Sequence, residues 1–460
     1  MAQSYGDLSA LFIKYALQRV EAIDMSTASI TDIAYAGALL DKVRLMAAAD
    51  PKLATELGAV VSYDVNDQYV GFAYNTVTDT FVRLGKAVGT AVGTLISSSL
   101  SPIFSRLRRV VLTDAGTVYK GISWTSKTTH EDGSAVSLSG ANGQIMVEYM
   151  PGYYSSGVWG NYIYFCISHL PLPGFSLHPV FEGNSAVYLG AYEGSLYNNK
   201  LCSIAKSPVD GTSPVFPVTT RQGEWGHAGL TTQATDALAV ARGTGWMQRD
   251  LLVSSWERIL MLVGYASFNI PGLVGQGRIN ISGGGWTNDS LIGRCGLSND
   301  TSGYASAVQT GGTGGYLTDY VQVLGVENPW GNVWERVGSL LSDGAVYCKS
   351  TSPSSSDYNA VTGWTQLLDA DKAKITLPTQ SGWAGVPKTG LGIIFPSDVT
   401  GSSSTKMMDY YYFNVGLRVL LVGGNADFGT YAGPFCWCAS GAASDANATV
   451  GGRLCFKRSA

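Results

Sequence analysis

The chain has 460 residues, which at roughly 150 residues per domain indicates two or three domains. Hydrophobic residues make up 45% of it and charged residues only 14%, a composition that supports a large core and excludes intrinsic disorder. The net charge of −4 does not supply the basic face that phosphate contacts need, so we predict no nucleic-acid partner.

Residues 1–57 predict a helical segment. Apolar side chains recur there at helical spacing, most regularly at Ile33, Ala36, Leu40, Val43 and Met46. Isolated helices under about 15 residues are marginal in water, so we expect this segment to attach the chain to another protein or to assemble it into a homotrimer. A helical subdomain packed on the same chain is the alternative.

Residues 58–101 predict a β-rich connector. The runs YVGFAYN and TFVRLG have strand composition and are separated by a turn signal at Thr78-Asp79. Gly85, Gly89 and Gly93 then recur every four residues in a stretch rich in Thr and Ser, which predicts a linker or an intertwined junction. No run reaches the roughly 18 apolar residues of a membrane span, and the first residues lack a secretory signal, so we expect no membrane insertion.

Residues 102–460 predict a single α+β domain. Strand-like runs such as RRVVLT, QIMVEYM and NYIYFCI alternate with loops rich in Gly, Ser and Asn. One helix is predicted from Gln248 to Tyr265. Its apolar face consists of Leu252, Trp256, Ile259, Leu260 and Val263.

A motif within this domain carries a family resemblance. Residues 325–335 read GVENPWGNVWE, which resembles the GNVWEW signature of the formylglycine-generating-enzyme branch of the C-type lectin fold. Trp330 and Trp334 can bury large areas, while Asn332 and Glu335 can hold loop backbone by hydrogen bonds. Arg336 stands where that signature usually has Trp. The resemblance implies a C-type lectin-like fold.

The C-terminus extends the resemblance. Residues 416–425 and 451–456 look like the closing strands of the lectin fold, and the segment at about 424–452 is similar to the variable region of proteins diversified by retroelements. Such systems change adenines, and an AAC or AAT codon altered at its adenines cannot encode Trp, Met, Lys, Glu or Gln. Trp437 is the one residue of that set between Gly424 and Gly452. Segments between Asp132 and Leu196 also resemble phage proteins that carry such a variable region on a lectin fold.

The resemblance implies site residues within this variable region. Scaffold positions, whose side chains pack inward or shape the backbone, are Asn332, Trp334, Glu335, Trp437, Gly451 and Gly452, together with Gly429, Gly433 and Phe435. Exposed, diversified receptor-binding positions are Asp427, Phe428, Tyr431, Cys436, Cys438, Ser440, Gly441, Ser444, Asp445 and Asn447, with Ala426, Ala439 and Thr449 as further candidates.

The implied function is that of a phage receptor-binding protein at the tip of a tail fibre. It would be a virion component, made in the host cytoplasm without a signal peptide. Its partners would be a host-surface molecule, protein or glycan, and other phage tail proteins, with a homotrimer as the assembly. We expect no enzymatic activity, no catalytic residues and no cofactor. The alternatives are a cellular lectin-fold surface protein and an oxidase of the formylglycine-generating type.

The residues argue against metal or thiol chemistry. Glu327-Asn328-Pro329 and the segment from Trp286 to Asp289 depart from the triplets by which calcium lectins bind their ion, so no metal site is predicted; a structural calcium stays open. Cys436 and Cys438 are one residue apart and do not form a recognised redox motif. We expect reduced cysteines, buried at Cys166, Cys202 and Cys348 and partly exposed at Cys436 and Cys438.

Overall fold

A computed structural model describes residues 68–172, 174–218, 232–281, 292–303, 305–308, 318–349, 353–368, 372–390, 392–445 and 447–460. The predicted helices of residues 1–57 lie outside the described residues. The described part of the chain is mainly β with a few helices, in agreement with the predicted α+β class. None of its helices has the length and apolar content needed to cross a membrane.

The described elements follow in chain order. The helices are α1 (Pro102–Ser105), α2 (Thr232–Val240), α3 (Leu251–Tyr265) and α4 (Ile270–Val274). The strands are β1 (Tyr69–Asn75), β2 (Thr80–Gly85), β3 (Arg108–Leu112), β4 (Val118–Ile122), β5 (Gln144–Tyr149), β6 (Tyr153–Trp159), β7 (Tyr162–Ser168), β8 (Ser176–Leu177), β9 (Asn184–Gly190), β10 (Ser195–Tyr197), β11 (Lys200–Cys202), β12 (Trp246–Gln248), β13 (Ala305–Val308), β14 (Tyr320–Val323), β15 (Val326–Glu327), β16 (Trp334–Ser342), β17 (Val346–Cys348), β18 (Thr365–Gln366), β19 (Gly382–Trp383), β20 (Tyr410–Phe413), β21 (Arg418–Val422), β22 (Trp437–Ala439), β23 (Val450–Gly451) and β24 (Leu454–Ser459).

The described residues divide into two compact units. The first contains residues 68–105, 152–178 and 263–266, and its sheet has the order β2-β1-β7-β6-β8. Strand β1 pairs along its whole length with β7, from Tyr69 opposite Ser168 to Asn75 opposite Tyr162. The predicted boundary at residue 102 is therefore wrong, because strands from beyond it complete the sheet that β1 and β2 begin.

The glycine-rich stretch after β2 is folded into this first unit and is not a linker. The amide of Gly93 donates to the carbonyl of Tyr265 at 2.7 Å, and that of Ile96 donates to Gly264 at 2.9 Å. The buried Arg83 guanidinium donates to the carbonyls of Thr94 and Val263 at 2.6 Å. Because these donors satisfy carbonyls that would otherwise be buried unpaired, the turns here are held without regular secondary structure.

The second unit holds residues 106–151, 179–262 and 267–460. One of its sheets has the order β12-β24-β9-β5-β3-β4, so the last strand of the chain lies inside it, between β12 and β9. Smaller sheets have the orders β10-β11 and β13-β14-β15. The remaining sheet, β18-β17-β16-β21-β22-β20-β19, has β23 beside the start of β16 and contains β22, which lies within the segment 424–452.

Side-chain alternation gives this last sheet two distinct faces. Arg336, Leu421, Cys438 and Tyr412 are opposite one another across β16, β21, β22 and β20, and we call the side on which they lie the Tyr412 face. The adjacent residues, which include Trp437 between Val422 and Tyr411, point to the other side. There they join a buried cluster with Leu251, Val337, Leu340, Phe395 and Leu420.

Candidate functional site

An aromatic patch lies on the Tyr412 face. It consists of Trp383 from β19, Tyr410 and Tyr412 from β20, and Phe428 and Tyr431 from the segment 424–452. The ring of Tyr431 lies 4.6 Å from that of Tyr410 and 5.1 Å from that of Trp383, centroid to centroid. Phe428 lies 5.0 Å from Tyr412 and 4.9 Å from the buried Trp334. Tyr431 is 41% exposed and the other four rings are partly exposed, so the patch offers a stacking surface to solvent.

A short 3₁₀ helix, Gly429–Tyr431, brings the rings of Phe428 and Tyr431 onto this patch. The amide of Gly429 donates to the carbonyl of Ile279 at 2.7 Å, and the amide of Tyr431 donates to that of Phe428 at 3.3 Å. Gly429 has φ +57, a left-handed conformation that glycine adopts without strain. The backbone is thus anchored independently of the exposed side chains.

A cavity of about 380 Å³ opens beside the patch on the same face. Its floor comes from the sheet and its rim from residues after β22, so we call it the Arg336 cavity after its charged residue. The rim contains Ser440, Gly441, Ala442, Asp445 and Asn447, and the floor contains Arg336, Val419, Leu421, Cys438 and Val450.

The guanidinium of Arg336 is unusual in this setting. Arg336 is only 2% exposed, and its Nε and Nη1 are buried without a hydrogen-bond partner among the described residues. Burial lowers the pKa of Arg336 to about 10, which still leaves the side chain cationic near neutral pH. The nearby buried carboxyl of Asp236 accepts a hydrogen bond from the Tyr358 hydroxyl instead.

The structure brings most of the predicted receptor-binding positions to one face. Phe428 and Tyr431 join the aromatic patch, and exposed Asp427 precedes them. Ser440, Gly441, Asp445 and Asn447 line the cavity rim, and Ser444 is exposed beside them.

The prediction that Cys436 and Cys438 are partly exposed is wrong. Cys436 is 0% exposed and Cys438 3%, because β22 is an interior strand between β21 and β20. Both sulfurs belong to a buried cluster with Trp334, Leu421 and Val450. Cys438 still contributes to the cavity floor. The further candidates Ala426, Ala439 and Thr449 are also buried.

The cysteines are poorly suited to redox chemistry as placed. All seven are free thiols, and burial raises the pKa of both Cys436 and Cys438. Because the thiolate is the reactive form, a raised pKa disfavours nucleophilic chemistry at these positions. Cys166 and Cys202 are buried as predicted, whereas Cys348 is only partly buried.

A buried ionic network supports the sheet from the Trp437 side. Glu335 accepts hydrogen bonds from Arg249 and Arg453, and Arg249 also pairs with Glu257 of α3. Burial alone would raise the pKa of Glu335, but the guanidiniums of Arg453 and Arg249 outweigh it and hold the pKa below its usual range. Glu335 therefore holds backbone only indirectly. It orients Arg453, and Arg453 donates hydrogen bonds to the carbonyls of Gly190, Glu327 and Asn328.

Asn332 and the two scaffold glycines hold neighbouring segments in contact. Asn332 has φ +57, and its amide donates to Glu193 at 2.6 Å and accepts from the Gly293 amide at 2.7 Å. A Cβ on Gly451 would lie 2.7 Å from the Val218 carbonyl oxygen, and one on Gly452 would lie 2.6 Å from Gln248 Oε1. Gly451 is therefore needed for the close approach of the Val218 backbone, whereas a side chain at position 452 would displace the end of the Gln248 side chain.

The buried carboxyl group of Glu193 should make the stability of the protein depend on pH. Burial raises its pKa to about 8, against 4.5 for an ordinary glutamate, although Arg453 and two asparagine amides favour the charged form. Between those values the folded chain keeps a proton that the unfolded chain has released. The free energy of unfolding should therefore fall as pH rises through this window, by up to about 1.4 kcal/mol per pH unit.

Urea unfolding of the wild type and Glu193→Gln between pH 5 and 8 measures this effect. The glutamine at position 193 has no titratable carboxyl group. The stability of the variant should therefore depend less steeply on pH than that of the wild type, whatever its absolute value. Glu182→Gln, at an exposed glutamate, is the control and should keep the wild-type slope. Equal slopes for wild type and Glu193→Gln would contradict the prediction.

Sequence reasoning missed half of the site. It did not select Trp383, Tyr410 or Tyr412, and it noted Arg336 only as a departure from a motif. The run Tyr410–Phe413, with three consecutive tyrosines before a phenylalanine, was the available signal for the patch. Among the described residues, no group of three or more His, Cys, Asp or Glu side chains is placed to hold a metal ion. No family model matches the chain, and no curated protein matches it either.

Proposed function

We propose that the chain is a phage receptor-binding protein that attaches to a host-surface molecule through the Tyr412 face. In this proposal the second unit is a C-type lectin-like domain of the retroelement-diversified kind, the protein sits at a tail-fibre tip, and residues 1–57 join it to other tail proteins as a homotrimer. A cellular lectin-fold surface protein is the alternative class. The function requires recognition and no chemical step.

One observation carries the proposal. The variable region supplies exposed residues on both sides of β22, and both groups meet the same sheet face, where they form the aromatic patch and the cavity rim. Rigid aromatic rings beside small polar side chains are the composition of antibody paratopes, where rings give contact area at low entropy cost. The buried β22 between the two groups fixes their backbone, so their side chains can vary without repacking the core.

Tyr431 should be a binding residue and not a stability residue. Its ring is 41% exposed and its backbone is held by its neighbours, so Tyr431→Ala should leave stability within about 1 kcal/mol of the wild type. Receptor binding should weaken by about 1–3 kcal/mol, since truncation removes a ring at the centre of the patch. The measurement is adsorption of the purified full chain to a panel of bacterial strains, followed by titration on a strain that binds.

Tyr119→Ala is the matched control. Tyr119 is 48% exposed on β4 of the same unit and lies outside the aromatic patch and the Arg336 cavity. It should adsorb as the wild type does. If both tyrosine variants adsorb equally well, the Tyr412 face is not the attachment surface.

A further inference from the structure

The Arg336 cavity contains a buried guanidinium whose hydrogen-bonding capacity is only partly used, although the Asp236 and Asp445 carboxyls lie near enough to act on its charge. Two donor atoms of the guanidinium, Nε and Nη1, are buried and have no partner among the described residues. Leaving a buried charged donor unsatisfied costs more than an ordinary missing hydrogen bond, so such a group calls for a ligand. A planar guanidinium matches a carboxylate by two parallel hydrogen bonds, which a point charge does not do.

The rim of the cavity restricts what can carry that carboxylate. Asp445 is exposed there, and its Oδ2 accepts from the Ala442 amide at 2.7 Å. A second carboxylate on the ligand would be repelled by Asp445. A ligand with one carboxylate and several hydroxyls is favoured instead, because hydroxyls can donate to Asp445 and can exchange hydrogen bonds with Ser440 and Asn447.

The size and the apolar floor of the cavity also favour a sugar as the ligand. Its volume of about 380 Å³ lies within the usual range for small-molecule sites and exceeds what one acidic amino-acid side chain fills. Val419, Leu421 and Val450 provide an apolar floor on which the C–H face of a sugar ring can lie. The aromatic patch on the same sheet face offers further stacking surfaces to the next units of a glycan.

We propose that the Arg336 cavity binds a sugar residue carrying a single carboxylate, of the uronic or sialic acid type, within a host-surface glycan. The carboxylate pairs with Arg336, the ring lies on the apolar floor, and the hydroxyls bond to the rim. This inference rests on the proposed receptor-binding function and assigns its ligand class as an acidic glycan. An acidic peptide is the competing ligand.

The test measures direct binding of small probes to the purified full chain by calorimetry and by ligand-observed NMR. D-Glucuronate should bind, and D-glucose, which differs in having a hydroxymethyl group in place of the carboxylate, should bind roughly tenfold or more weakly. Arg336→Met keeps the length of the side chain and removes its charge. It should lose glucuronate affinity by roughly tenfold or more while glucose binding stays unchanged.

Two further variants keep the test decisive. Arg418→Met removes an arginine of β21 that donates to the Val415 carbonyl, outside the cavity, and should bind glucuronate as the wild type does. If Arg336→Met does not fold, Ser440→Tyr fills the cavity from its rim and should abolish glucuronate binding. Thermal unfolding of each variant establishes that it is folded.

Other outcomes would overturn the inference. Equal binding of glucuronate and glucose, or binding that Arg336→Met leaves intact, removes the carboxylate assignment. Binding of a tetraglutamate peptide in preference to glucuronate replaces the glycan with an acidic protein. If glucuronate fails to bind while Tyr431→Ala still weakens cell adsorption, this inference falls and the proposed function stands.

Discussion

Glu335→Ala should cost the second unit about 3–5 kcal/mol of stability. The carboxylate of Glu335 lies between Arg249 and Arg453, and all three side chains are at most 2% exposed. Removing it takes from the buried guanidinium of Arg453 its hydrogen-bonded carboxylate and leaves that of Arg249 with Glu257 alone. Arg453 would also lose the partner that orients it toward the carbonyls of Gly190, Glu327 and Asn328.

Equilibrium unfolding in urea, followed by near-ultraviolet circular dichroism, measures this loss. Glu131→Ala is the matched control, because the side chain of Glu131 is 54% exposed and its ion-pair distance to Arg108 is 4.0 Å. The control should change stability by no more than about 0.5 kcal/mol. A loss below about 1 kcal/mol for Glu335→Ala would mean that the network does not hold the sheet.

Trp437→Ala should cost about 3–5 kcal/mol for a different reason, the loss of packing. The indole is 0% exposed in the cluster behind β22, with its ring 4.6 Å from that of Phe395 and 5.8 Å from the guanidinium carbon of Arg258. Alanine would leave a large hole between the sheet and the elements packed behind it. The neighbouring strands β21 and β20 would be destabilised as well, because Val422 and Tyr411 belong to the same buried cluster as the indole.

A graded series checks this explanation. Trp437→Phe keeps most of the buried area and should lose clearly less stability than Trp437→Ala, in the same urea measurement. Tyr431→Ala, at a ring that is 41% exposed, provides the surface comparison. If Trp437→Ala were as stable as Tyr431→Ala, the indole would not be a core residue.

The local pattern of the sequence was enough to find most strands but not to assemble them. YVGFAYN and TFVRLG are β1 and β2, and the predicted helix forms as α3, beginning three residues later than expected. Composition and alternation encode such elements because they depend on neighbouring residues. The pairing of β1 with β7 depends on residues far apart in the chain, so the domain boundary drawn at 102 missed it.

The same limit explains the errors at the candidate site. The segment 424–452 looks like a continuous loop, yet a three-residue strand, β22, lies within it. Its neighbours β21 and β20 both precede it in the chain, and their register determines that Cys436 and Cys438 are buried. Phe428 and Tyr431 were selected because the family resemblance marks the segment that contains them, whereas Arg336 reaches the cavity through its register with Leu421, which the local sequence does not show.

The burial of β22 on both faces has a consequence for how this surface can evolve. A thiol fills each of the positions 436 and 438 on the Tyr412 face, and a larger side chain there would overpack the cluster at a cost of about 1–3 kcal/mol. If the proposed receptor-binding function holds, tolerated variation is therefore confined to Asp427, Phe428 and Tyr431 on one side and to 440–447 on the other. A randomised library that spares the central strand and Gly429 should keep most of its members folded, so that variation in ligand binding would leave the architecture unchanged.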